Sequence, residues 1–349
     1  MQAPRVSVVM ASYNHGPFVA EAVNSVLTQS FGDIELVVTD DGSRDDTAQV
    51  IGGMRDSRIQ FVAFAENRGA CVALNDAIGR ARGAYIAVLN SDDYFLPGKI
   101  ERQVAFLDAH PEYGAVFGLP ELVDERGRPI ADRTHAFVDA FRAANGSRVE
   151  WLERLFVDGN CLCHPTVMLR KECYERVGRL DPLLMQLPDL DFWVRLCTAF
   201  TPRVEPQKVT AMRILDRERN TSAPSPERMA RVGWETVTVL EHYARLPESE
   251  LNELFPAADE RTRTMRPKVR LALEALRITR PGYAQFGLRV LRECMQEDPA
   301  SFSCLEYFKL VGRLDPCGTQ YHGWEFRALR RSRFLRIARR VHRFLQTNG

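Results

Sequence analysis

Three pairs of acids stand where carboxylates can do chemistry. They are Asp92 and Asp93 at the end of Leu89-Asn90-Ser91-Asp92-Asp93, Asp40 and Asp41 ahead of Gly42-Ser43, and Asp189 and Asp191 ahead of Phe192-Trp193. Adjacent carboxylates repel each other and are costly to hold together unless a cation neutralises them, and a hard divalent ion carrying phosphate oxygens does this. Taken alone, residues 90–93 also read as an acidic strand-to-loop turn, and residues 40–43 as a turn leading into a helix cap. Asp189 and Asp191 precede an amphipathic run, where carboxylates favour a helix N-terminus, and Asp191 reads equally as a helix-capping acid.

The elements around these acids set their position. Residues 84–89 carry no charge and read as a strand buried on both faces, which puts Asp92 and Asp93 at its carboxyl end. Residues 6–10, 34–39, 59–64 and 115–117 read as further strands, and each is followed by polar residues. Between them, Pro17 opens a helix carrying Val19, Val23 and Val26; Ser43 with Asp46 fits an N-cap for a helix reaching about residue 54. Residues 72–81 form a third helix, and Pro97 starts a fourth. Alternating β and α elements imply a mostly parallel sheet covered by helices, with every polar cluster on one edge. That edge gathers Tyr13, Asp41, Asn67 and Asp92-Asp93, as a pocket for a nucleotide requires. Tyr13 could stack on a base, and Asp41 could accept a hydrogen from a pyrimidine ring N–H.

Composition narrows the classes. The chain has 349 residues with Lys+Arg 47 against Asp+Glu 46, so whole-chain charge argues against general nucleic-acid binding. Eight cysteines without a regular framework suggest free thiols in a reducing cytoplasm. Cys161-Leu162-Cys163-His164 with Cys173 does not match the paired spacing of structural zinc sites. The apolar run at residues 6–11 is too short for a signal peptide, and none approaches the ~20 residues of a membrane span. No G-x-G-x-x-G follows the first strand, and Gly98-Lys99-Ile100 lacks the surroundings of a P-loop, which disfavours a dinucleotide oxidoreductase or an ATPase.

Val6-Ser7-Val8-Val9-Met10-Ala11-Ser12-Tyr13-Asn14, Asp40-Asp41-Gly42-Ser43 through Thr47, Asn67-Arg68-Gly69, Leu74-Asn75 and Leu89-Asn90-Ser91-Asp92-Asp93 stand in one order and spacing. Together they resemble family 2 glycosyltransferases of the GT-A fold over roughly the first 220 residues. The resemblance implies an α/β, GT-A type, mostly parallel sheet flanked by helices, and beyond it the helical periodicity from Glu227 onward predicts a helical C-terminal extension. It implies that Ala11, Tyr13 and Asp41 hold the base of a nucleotide-sugar donor, with Asn67 in the same pocket. Asp92 would lie near the ribose and metal, and Asp93 would bind Mg or Mn on the diphosphate. Asn90 stands where many relatives carry the first Asp of a D-x-D triplet.

Residues 188–193 resemble the family's Glu-Asp-x-x-x-Trp stretch, whose Asp is the catalytic base; that position is Asp189, Pro188 replaces the Glu, and Asp191 is the rival. An inverting transfer needs one carboxylate to take the acceptor proton, while a metal handles the leaving diphosphate. Met212-Arg213-Ile214-Leu215-Asp216 resembles a segment in which a His can complete the metal site; Leu215 cannot, which leaves Asp216 or water. His164 reads as a hydrogen-bonded structural histidine or a ligand contact.

Three regions are expected: residues 1–117 as the nucleotide-sugar-binding half, 118–222 as the acceptor and catalytic half, and 223–349 as a helical region. In residues 326–345, Phe326, Leu329, Phe334, Ile337, Val341 and Phe344 mark an apolar stripe among eight arginines. A basic amphipathic helix of this kind suits an anionic membrane surface, and equally packing on the domain or dimerisation. The expected activity is a metal-dependent inverting hexosyl transfer from a UDP-sugar, with a dTDP-sugar open, to a glycan or lipid-linked glycan. The setting would be bacterial surface polysaccharide synthesis in the cytoplasm at the inner membrane face, with a homo-oligomer open. Two rivals are a nucleotidyltransferase, which would want a Gly-rich, Lys-bearing loop that residues 11–16 lack, and a non-catalytic GT-A scaffold.

Overall fold

A computed structural model describes residues 3–130, 140–215 and 225–312. The first half alternates as the hydrophobic pattern requires: β1 (Val6–Ser12), α1 (Gly16–Leu27), β2 (Ile34–Asp40), α2 (Thr47–Gly53), β3 (Ile59–Ala63), α3 (Ala70–Arg80), β4 (Tyr85–Val88), β5 (Tyr94–Phe95), α4 (Lys99–Ala109) and β6 (Tyr113–Val123). Then come α5 (Arg148–Asp158), β7 (Met168–Arg170), α6 (Lys171–Val177), α7 (Pro188–Ala199), β8 (Thr201–Arg213) and α8 (Pro226–Ala244).

One eight-stranded sheet runs β3-β2-β1-β4-β7-β6-β8-β5. Strand β1 pairs parallel with β2 and with β4, and β2 pairs parallel with β3. Strands β6 and β8 are also parallel, whereas β7 runs antiparallel to β4 and β6, and β5 antiparallel to β8. Because β2 and β4 lie on opposite sides of β1, the loops leaving β1, β2 and β4 open on a topological switch point at the carboxyl edge, the usual ligand crevice of such sheets. All seven residues of β2 and all four of β4 are buried, so their near-continuous apolar runs are explained by cover on both faces. Val8, Met10, Leu36, Val38 and Ala87 from the sheet meet Val19, Val23, Val26 and Ile100 from the helices in one core.

The structure differs from the expected elements in four places. Helix α2 begins at Thr47, because the Ser43 hydroxyl is bonded to Asp40 and to the Asn14 N–H and does not cap a helix. The sequence of residues 164–170 predicts a strand, but His164–Thr166 is a 3-10 turn, where Pro165 cannot donate to a sheet ladder, and only Met168–Arg170 is strand. Strand β8 is long and was not foreseen; Pro202 and Pro206 obscure its pattern, and its middle residues 206–208 are exposed. Strand β6 extends to Val123, beyond the expected 115–117, and the chain forms two compact units that divide after His242.

The second unit, taken by itself, contains α9 (Glu248–Leu254), α10 (Glu260–Arg263), α11 (Pro267–Ala275), α12 (Tyr283–Glu297) and α13 (Cys304–Val311). Leu251, Val269, Leu271, Phe286, Val290 and Leu291 form its interior, matching the helical periodicity of the sequence. Residues 326–345, with the basic stripe, and Asp216 lie outside the described residues.

Candidate active site

The turn after β1 is tied to the turn after β2. Asp40 accepts hydrogen bonds from Ser12 Oγ at 2.8 Å, Ser43 Oγ at 2.6 Å and the Ser43 amide at 2.8 Å. Asn14 takes a left-handed backbone (φ 53°), which an Asn tolerates, and its side chain accepts the Arg44 amide at 2.8 Å. Tyr13 is left 37% exposed beside this knot, and Ala11 is half-buried at the end of β1.

Asp41 is buried, and its two carboxylate oxygens accept the amides of Arg68 at 2.7 Å and Gly69 at 2.9 Å. Its first effect is therefore to fold the 67–69 loop over the end of β2, with Asn67 exposed on top. A carboxylate offers about four lone-pair sites, so two remain for a ligand N–H. Gly42 permits the close approach: at φ +71° a Cβ would lie 2.5 Å from the Glu66 carbonyl carbon.

The paired acids after β4 have unlike surroundings. Asp93 is buried, and its oxygens accept the Arg213 amide at 2.8 Å and Asn90 Nδ2 at 2.9 Å. Burial, with Asp92 beside it, pushes its carboxyl well above the usual range. Asp92 has a partly exposed side chain, and among the described residues its carboxylate accepts no hydrogen bond, while His15 Nδ1 stands 4.0 Å away. The same His15 nitrogen shares a hydrogen bond with Ser91 Oγ at 2.8 Å, which joins the β1 turn to the β4 turn. Arg213, at the end of β8, donates to the Asp92 carbonyl at 2.9 Å and to those of Asp124 and Glu125, pairs with Glu21, and lies over the rings of Phe18 and Tyr94. The expectation placed the metal chiefly on Asp93; the carboxylate that faces outward is Asp92.

Helix α3 links this edge to Asp189. Gly69 is its N-cap, Asn75 on it bonds both the amide and the carbonyl of Leu180, and Cys71 Sγ reaches the Leu184 carbonyl at 3.5 Å. The 181–187 segment is thus laid against α3 and delivers Asp189 into the first turn of α7. Asp189 accepts Asn160 Nδ2 at 2.6 Å and the Leu190 amide at 2.8 Å, while burial pushes its carboxyl up to about 6. The Cys163 thiol is pushed up by burial and, after it, by the charges of Asp93 and Asp189.

Asp191 has a different job. Its oxygens are taken by Arg195 at 2.7 Å and His242 Nε2 at 2.7 Å; burial alone would raise its pKa, but these partners hold it below the usual carboxylate value. It is a buried ion-pair anchor, and His164, lowered to about 4 by burial, packs on Trp193 as a neutral ring. Among the described residues no group of three or more His, Cys, Asp or Glu could hold a metal, and Cys161, Cys163 and Cys173 are buried free thiols.

Sequence reasoning missed Asn160, Arg213, His15, Glu235 and His242 as parts of this assembly. Glu235, on α8, is buried and accepts the amides of Met185 at 3.0 Å and of Gln186 and Leu187 at 2.7 Å each. Only its place on the inward stripe of a helical run could have drawn attention to it.

The family model described as Glycosyl transferase family 2 matches residues 7–178, a stretch that ends before Asp189. The chain is 30% identical over 200 residues to the putative glycosyltransferase EpsE of Bacillus subtilis, covering 55% of this chain and 66% of that one. It is 40% identical over 103 residues to WfaP of Escherichia coli, named UDP-Glc:alpha-D-GlcNAc-diphosphoundecaprenol beta-1,3-glucosyltransferase, covering 30% of this chain and 41% of that one. The matched stretch is under two thirds of each relative's length. S. aureus TarS in complex with UDP-GlcNAc superposes with a TM-score of 0.54 at 18% identity, over 84% of this chain and 92% of that one. The mannosyltransferase PcManGT of Pyrobaculum calidifontis, in complex with GDP-Man and Mn2+, gives 0.53 at 17%, over 89% and 79%. These likenesses show a GT-A type α/β fold.

Proposed function

Because residues 7–178 belong to glycosyl transferase family 2, we propose that the chain is an inverting glycosyltransferase. It moves a sugar from a nucleotide diphosphate donor to a hydroxyl of a glycan or lipid-linked glycan. The reading is supported by Asp41, the outward-facing Asp92 and the raised carboxyl of Asp189 lying on turns that hydrogen bonds tie to one another and to α3. Tyr13 and Asp41 would take the base, with UDP the preferred nucleotide because Asp41 offers acceptors suited to a pyrimidine ring N–H; the printed UDP-GlcNAc ligand of TarS is in keeping with this. WfaP's named acceptor likewise supports a lipid-linked glycan and a role in bacterial surface polysaccharide assembly.

A divalent Mg or Mn ion fits the residues present. Mg usually takes one or two carboxylates plus substrate phosphates, and Asp92 offers an uncommitted hard oxygen donor at the crevice. When bound, the ion neutralises charge that develops on the leaving diphosphate. Asp93, buried and bonded to the Arg213 amide and Asn90, would hold the turn that aims Asp92. Asp189 would take the acceptor proton as the acceptor oxygen attacks the anomeric carbon from the face opposite the diphosphate. A carboxyl near 6 is ionised at neutral pH yet is a stronger base than an ordinary Asp. Among the described residues no helix is long and apolar enough to cross a membrane. Membrane contact through the basic stripe of residues 326–345, at the cytoplasmic face, belongs to the same proposal.

Thermal shift with UDP, dTDP, GDP and their sugar conjugates in the presence of manganese tests the donor, since a ligand bound to the folded state raises its melting temperature. Asp189→Asn should bind the selected sugar nucleotide and not turn it over. A parent protein inactive with every donor would favour a non-catalytic scaffold.

A further inference from the structure

Resting on the reading of Asp189 as the base, we propose that helix α8 is a clamp on the base-bearing turn, with Glu235 and His242 as its positioning residues. The N-cap position of helix α7 has no side-chain cap of its own. Its N-cap residue, Leu187, has no side-chain acceptor, and Pro188 in the first turn lacks an N–H. The Glu235 carboxylate supplies an acceptor there from another helix, taking the amide of the N-cap Leu187 and those of Met185 and Gln186 just before it. A carboxylate there also suits the positive end of the helix dipole.

His242 makes the second attachment, through Nε2 to Asp191 Oδ1 at 2.7 Å. Residues 235 and 242 are seven apart, two helical turns, so they lie on one stripe of α8 roughly 10 Å apart along its axis. Their attachment points, 185–187 and 191, bracket Asp189 in the chain. Neither α8 nor the turn falls within the stretch matched to the family, residues 7–178. The clamp fixes where Asp189 Oδ1 and Oδ2 point while leaving the nucleotide pocket, built from β1, β2 and β4, untouched.

The test uses the full chain with Glu235→Gln, His242→Ala, His242→Gln and Asp189→Asn. Binding of UDP with Mn2+ is read by calorimetry. Turnover is read as nucleotide diphosphate released from the sugar nucleotide that the donor panel selects, across pH. An angstrom of misplacement at a reacting group lowers rates by up to about 100-fold. Glu235→Gln is therefore expected to keep UDP affinity within about twofold and to lose about 10- to 100-fold in kcat. Its acid limb should move below about 6, because Glu235 is among the charges that hold the Asp189 carboxyl up, alongside the dominant burial. His242→Gln, which can still donate to Asp191, should recover part of what His242→Ala loses. Unchanged kcat and an unmoved limb in Glu235→Gln, with Asp189→Asn inactive, would overturn the clamp and leave the base reading standing. Loss of UDP binding together with kcat would also overturn it, by making Glu235 a general stability group. An Asp189→Asn protein with full turnover would instead remove the base reading itself.

Discussion

Asp92, Asp93, Asp189 and Asp191 are four aspartates with four different environments, and burial and partners decide what each can do. Asp189, raised to about 6 chiefly by burial, binds its proton more tightly in the folded chain than in the unfolded one. Its contribution to stability is thus fully present below the ordinary Asp pKa and is lost as pH rises through about 6. Above that pH the ionised carboxyl costs up to about 3 kcal/mol, which Asp189→Asn would recover. The variant is expected to unfold at higher denaturant than the parent at pH 8 and at about the same denaturant at pH 4, while turnover in the parent rises as pH increases through about 6. At the other acid pair, Asp92→Asn should weaken Mn2+ binding in the presence of UDP by tenfold or more, measured by the paramagnetic signal of free manganese. Asp93→Asn should chiefly lower the melting temperature, since it breaks a buried network with Asn90 and Arg213. Equal loss of manganese in both variants with no loss of stability would assign Asp93 as a ligand.

At the scale of elements, the crevice depends on how closely the β2 turn and the 66–69 loop approach. Gly42 sits between them at φ +71°, with the Glu66 and Asn67 backbone within 3 Å of where a Cβ would go. Gly42→Ala must both strain the backbone and push that loop outward, so it should cost about 1–3 kcal/mol. It should also weaken UDP binding by several-fold, because the amides of Arg68 and Gly69 leave Asp41. Calorimetric titration with UDP checks this, and a wild-type affinity would mean that Asp41 does not face the base. Helices α3 and α7 carry the second half of the geometry: Asn75 fastens the chain at Leu180, so the turn leading to Asp189 starts from a fixed point.

For the whole molecule, charge is nearly balanced in total and strongly segregated at the end, where no acid follows Glu325. Each arginine near an anionic lipid surface contributes about 1 kcal/mol, so replacing four of those in residues 326–345 by Gln should cut binding to phosphatidylserine vesicles by well over tenfold. UDP affinity should not change. Co-sedimentation with vesicles checks the first statement, and retention of full vesicle binding would assign the stripe to packing or self-association.

The order of the elements and the edge that bears the acids were legible in the chain. A strand buried on both faces must be written in uninterrupted apolar residues, and a loop after it in polar ones, so residues 6–93 declare their own arrangement. Strand β8 was not legible, because prolines and a partly exposed middle erase its period, and it is β8 that brings Arg213 to Asp93 across 120 residues. In the sequence, the family resemblance put Asp189 ahead of its rival Asp191 by position alone, with no physical difference between the two acids legible. The tertiary structure supplies that difference: Arg195 and His242 bond Asp191, whereas Asp189 is half-buried beside an uncharged Asn160. Proton affinity is set by the charges and solvent around a carboxyl, and those come from residues distant in the chain.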